Sequence, residues 1–178
     1  MSKTNNFVFM VVQIMSWIIF IGLCIEAGAL IFNFIYSLIN PLVLHNLYQK
    51  LDLSSMYYQS KWTFFCVYSL LLSISILKAV LFYIVIRLLL KINLTKPFDE
   101  YVARQILLMS YYTFSIGILC YIAKESTRNL EHKGFDTDKL NQFWSDGQAF
   151  ILMAAVIYVI AIIFSRGVEL QKENELTV

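Results

Sequence analysis

Charge is scarce in this chain: only 15% of its 178 residues are Asp, Glu, Lys or Arg, against about 25% in a typical soluble domain. Its 14 basic residues nearly balance 12 acidic ones, and a net charge of +2 is too small to argue for direct nucleic-acid binding. Histidine is scarcer still. The 2 present, His45 and His132, lie between apolar stretches, which removes both an intramembrane histidine base and the intrahelical pair that would ligate a b-type haem. The 3 cysteines, Cys24, Cys66 and Cys120, each fall inside an apolar run with no C-x-x-C and no nearby histidine. They read as packed free thiols rather than a disulfide, a metal site or a quinone-coupled pair. The 6 glycines form no phosphate-cradling loop, and there is no H-E-x-x-H helix. Neither an internal repeat nor an inverted-repeat transporter layout is visible. The expectation is a protein with no catalytic, cofactor-binding or metal site, and not an enzyme.

What the chain has in abundance is apolar surface: 59% hydrophobic and 16% aromatic residues. These concentrate in runs at 7–39, 62–90, 101–123 and about 146–166, followed by a polar tail over 167–178. About 20 mainly apolar residues suffice to cross roughly 30 Å of hydrocarbon as a helix. Each run is continuously apolar, whereas barrel strands alternate, and lipid admits only helices and closed barrels. The fold class predicted is all-α: one integral membrane bundle of four transmembrane helices, over 1–178, with both termini on the same side. Ala27-Gly28-Ala29 imitates a signal-peptide cleavage site, and Cys24 a lipoprotein one. The apolar run continues unbroken through Leu30–Ile35, however, and Leu23 stands where a lipoprotein site needs a small residue, so the first helix is expected to be retained.

Asn40-Pro41 stops the first helix, and Tyr57-Tyr58 suit a membrane–water boundary. Basic residues are nearly equal on the two sides of a four-span layout. The short loop from Lys91 to Glu100 has the densest basic flanks, which favours N- and C-termini in the cytoplasm of a cell-membrane protein. Arg87 and Arg104 are expected to carry their charges to the headgroups on long stems.

Glu26 and Lys78 are the charges deepest inside the apolar runs. A charge at bilayer depth costs roughly 2.5–3.5 kcal/mol on insertion scales and usually has a partner. Counting at 1.5 Å per residue puts Glu26 roughly 20 Å before the end of its helix and Lys78 roughly 24 Å after the start of the next, so a hairpin would bring them to similar depth. Two alternatives stand: an ion pair that fixes helix register, or a proton or cation site built on Glu26.

Two stretches carry a recognisable pattern. One is Leu89-Leu90-Lys91-Ile92-Asn93-Leu94-Thr95-Lys96-Pro97-Phe98, running into Tyr101-Val102-Ala103-Arg104-Gln105-Ile106. The other is the tail, with Gly167, Leu170, Glu173, Leu176, Thr177 and Val178 in a Gly-x-x-Leu-x-x-Glu-x-x-Leu-Thr-Val pattern. Together they resemble the bacterial membrane family called domain of unknown function 2975, in which Asp is frequent at the place of Glu175. The resemblance implies a four-helix membrane protein without an established activity. The frequent neighbourhood of such genes with one for a small helix-turn-helix regulator implies a membrane partner of a transcription factor.

On the residues alone, Pro97 can open the third helix, and Asp99 and Glu100 complement its positive end. The Pro97-Phe98 loop reads either as a structural stop-and-start or as a binding epitope. The tail reads as helix four continuing into water, its end docking on the protein's own loop or on a cytoplasmic partner. Pro97, Phe98, Gly167, Leu170, Glu173 and Leu176 are therefore the candidate interaction elements. The expected role is regulatory, sensing or scaffolding in the lipid bilayer, with a small proton- or cation-coupled carrier working through Glu26, as a homo-oligomer, as the alternative.

Overall fold

The computed structural model describes residues 3–40, 44, 47–48, 51–92 and 98–176. It is helical, with no strand among the described residues: α1 (Lys3–Ile39), α2 (Ser54–Gln59), α3 (Lys61–Lys91), α4 (Glu100–Glu131) and α5 (Gly147–Leu176), with a 3-10 turn at Asp138–Phe143. Four of these helices are long and apolar enough to cross a membrane, as the apolar runs predict. The chain is a multi-pass membrane protein.

Local chemistry sets the helix ends. At the start of α3 the Ser60 hydroxyl accepts the Thr63 N–H at 3.4 Å, and at the start of α4 the Asp99 carboxylate accepts the Tyr101 N–H at 2.7 Å. α4 runs to Glu131, beyond the end of the apolar run at Ala123, because its polar last turns still bury Thr127 and pack Leu130 on the core. It closes where Gly134 takes a φ of 83° and the Phe135 N–H turns back to the Leu130 carbonyl at 3.1 Å. Likewise α5 continues past Arg166 to Leu176, the helical tail expected from its pattern.

The spanning helices form an open row rather than a closed ring. Extensive contacts join α1 to α3, α3 to α4 and α4 to α5. α1 is the peripheral member, with 6% of its apolar window buried against 39% in α4. It is tied to α3 by the Tyr68 hydroxyl, which donates to the Leu30 carbonyl at 3.0 Å, and by Phe34 packed between Phe65 and Tyr68. Small residues let α4 and α5 approach most closely. A Cβ on Gly117 would stand 2.6 Å from Ile151 Cγ1, and one on Gly147 would stand 2.8 Å from the Cβ of Cys120.

Two cores result. At one end, segments that look like loops in sequence supply apolar residues: Leu44, Leu51, Leu53 and Met56 from the first connection, Leu140, Phe143 and Trp144 from the third. All are buried against Phe64, Tyr68 and Leu71 of α3 and Ile116 and Cys120 of α4. At the opposite end a smaller core gathers Val102, Ile106 and Ala161, with Leu88, Ile92 and Phe164 packed on it.

Candidate functional site

Beside the smaller core lie two of the residues that the sequence singles out, Phe98 and Gly167. Phe98, just ahead of the Asp99 cap, lays its ring against α5: its centroid is 5.5 Å from that of Phe164, and it fills the space a side chain at Gly167 would need. Two residues on, Glu100 accepts from Lys172 Nζ at 3.0 Å, joining the first turn of α4 to the end of α5. Between them Val168 is buried, and Glu100, Ala103, Arg104, Ser165 and Lys172 border a groove of about 300 Å³. The loop and the tail therefore clasp one another. The ion pair is exposed and contributes about 0–1 kcal/mol, so the apolar contact of Phe98 with Phe164 and Gly167 is the larger part of the clasp.

The other tail residues divide. Leu170 is 60% exposed and Glu173 is exposed, whereas the side chain of Leu176, at the end of α5, lies outside the described residues. Pro97 also lies outside them, as do Thr177 and Val178. Sequence reasoning missed Phe164, Glu100 and Lys172 as members of the clasp, because nothing in their spacing shows that α4 and α5 meet at that height.

The direct ion pair expected between Glu26 and Lys78 is not formed among the described residues: each side chain has another partner. Glu26 Oε1 instead accepts from the Ser75 hydroxyl at 3.3 Å. Lys78 reaches the third connection and α5 instead, donating to the Phe143 carbonyl at 3.4 Å with its ammonium 5.8 Å from the centroid of the Phe150 ring. Equal depth is a statement about height alone. Ser75 and Lys78 differ by only about 60° around α3, so direction is set by what each side chain meets, the Glu26 carboxylate for one and the Phe143 carbonyl for the other. Lys78 finds a carbonyl left open at the end of the 3-10 turn, the kind of acceptor a helix terminus offers a cation.

Arg87 lies where it can reach the boundary, its guanidinium carbon 5.8 Å from the centroid of Tyr83 and 6.0 Å from that of Tyr101, and Lys91 Nζ is 4.4 Å from the latter centroid. Ser16, Ser37, Thr113 and Ser115 return their hydroxyls to carbonyls within their own helices.

No curated protein and no solved structure matches the chain. Residues 49–178, which take in α2 to α5 but not α1, match the model of the family described as protein of unknown function (DUF2975). That segment contains the whole clasp, and it is more than half of the chain. The chain belongs to the DUF2975 family.

Proposed function

We propose that this is a non-enzymatic regulatory protein of the cell membrane, with both termini in the cytoplasm, whose clasped loop and tail hold a soluble partner, a small helix-turn-helix regulator. The observation that supports it is the pairing of Phe98 with Gly167 beside an exposed Leu170: an apolar joint that leaves one turn of α5 open to water. The lining of the joint is complementary within the chain, so a partner reads its outer face, and a shift in the α4–α5 crossing changes that face. The test is affinity purification of the full chain from its native membranes. Leu170→Asp, which leaves the buried side of the clasp alone, is expected to remove a co-purified regulator while membrane abundance stays the same. An unchanged set of partners in this variant, and in one lacking Glu169–Val178, contradicts the proposal.

A second reading, a small proton- or cation-coupled carrier, draws support from Glu26, whose carboxylate has a serine hydroxyl as its partner and no cation among the described residues. Vesicles containing the chain would then show cation flux that Glu26→Gln abolishes. Vesicles that stay impermeable to protons and alkali cations contradict it.

A further inference from the structure

Arg87 and Lys91 are four residues apart, hence neighbours on one face of α3, and both lie over aromatic rings rather than beside carboxylates. Three acidic groups of this end are engaged elsewhere: Glu100 with Lys172, Glu169 with Arg166, and Asp99 with the Tyr101 backbone N–H. The rings of Tyr83 and Tyr101 contact the cations without using their N–H donors, so a guanidinium with five donors and an ammonium with three remain available. Both cations are exposed. The Tyr101 hydroxyl is buried and has no hydrogen-bond partner among the described residues. Around this cluster the surface is apolar: Tyr83 is 49% exposed and Leu90 58%.

We propose that Arg87, Lys91, Tyr83 and Tyr101 form a binding site for the phosphodiester headgroup of an anionic phospholipid. The chemistry suits that class. A planar guanidinium can take the two non-bridging oxygens of a phosphodiester at once, while an ammonium one turn away draws the same anion as a point charge. The rings hold both cations in place beforehand, so little side-chain entropy is lost on binding. A lipid is favoured over a soluble phosphate because the cations stand at the end of a spanning helix, beside exposed Tyr83 and Leu90, where acyl chains lie alongside. The site does not depend on the partner proposed above.

The test uses the full chain, purified and placed in nanodiscs or mixed micelles, with phosphatidylglycerol, phosphatidylcholine and glycerol 3-phosphate as probes and native mass spectrometry as the readout. Phosphatidylglycerol is expected to be retained in preference to phosphatidylcholine, with a preference that weakens as salt rises. Arg87→Gln and Lys91→Gln should each lower retention about fivefold. Arg87→Lys should fall between Arg87→Gln and the native chain, and Arg128→Gln, at the far end of α4, should change nothing. Equal retention of the two lipids by the native chain overturns the proposal without recourse to any variant. So does an undiminished preference in the folded double variant Arg87→Gln/Lys91→Gln. Glycerol 3-phosphate bound as tightly as the lipid contradicts the assignment to a membrane lipid.

Discussion

The ring of Phe98 occupies the space in which any side chain at position 167 would stand. Gly167 lies well inside α5, in ordinary helical conformation, where glycine costs about 1 kcal/mol relative to alanine. That cost is offset by a contact that only glycine permits. The two stretches of family-like sequence, distant along the chain, are thus two halves of one joint.

Gly167→Ala is expected to destabilise the chain by about 1–3 kcal/mol, because the ring must be displaced from a packed site. In a Phe98→Ala background the same change should be neutral or favourable, since the methyl then enters vacated space. Reversible unfolding in mixed micelles, run as a double-mutant cycle, measures this. By contrast Gly22, with nothing within 4 Å of its would-be Cβ, should gain about 0.5–1 kcal/mol on replacement by alanine.

Removing Lys78 and removing Glu26 should be independent events. Lys78→Met leaves the Phe143 carbonyl without its donor, at a cost of about 1–3 kcal/mol, while Glu26→Gln keeps the Ser75 hydrogen bond. The double variant is expected to show a coupling below about 0.5 kcal/mol, as for residues that share no partner. A coupling of several kcal/mol, or rescue by exchanging the two charges, would show that the carboxylate and the ammonium pair directly.

Trp144 is 2% exposed, and its indole N–H has no partner among the described residues. Trp144→Phe should therefore cost less than a typical aromatic truncation, because it removes an unsatisfied donor along with some packing. Trp144→Ala should cost about 3–5 kcal/mol, as for an emptied aromatic site. Thermal unfolding followed by near-ultraviolet circular dichroism separates the two.

The crossing of α4 and α5 leaves no room at Gly117, where Ile151 would meet an added Cβ. Gly117→Leu is expected to cost about 1–3 kcal/mol and to reduce membrane abundance. Ile151→Ala, made in the same chain, should restore part of the loss. Equal abundance of Gly117→Leu and the native chain would place the two helices further apart.

The spanning helices are legible in the sequence because lipid demands long unbroken apolar runs, and those runs name their own residues. The row order, with α1 at the edge, is not, since residues facing lipid and residues facing a neighbouring helix are equally apolar in α1 and α3. Leu44, Leu51, Leu53 and Met56 read as a polar connection because they are spaced without helical period, yet they plug one end of the row. Glu26 and Lys78 illustrate the same limit: residue counts give height along an axis, and only packed neighbours such as Ser75 and Phe143 give direction around it. Phe98 and Gly167 stood out by pattern, whereas the meeting of the two required the fold.

The joint itself can be tested with a short bifunctional thiol reagent in a chain whose native cysteines have been replaced. With Glu100→Cys and Lys172→Cys, whose native side chains meet at 3.0 Å, a link within one polypeptide should form rapidly in native membranes and slow markedly when Gly167→Val is added. Linking no faster than for Glu100→Cys with Glu131→Cys, at opposite ends of α4, or links formed only between copies, would contradict a loop and tail that clasp within the chain.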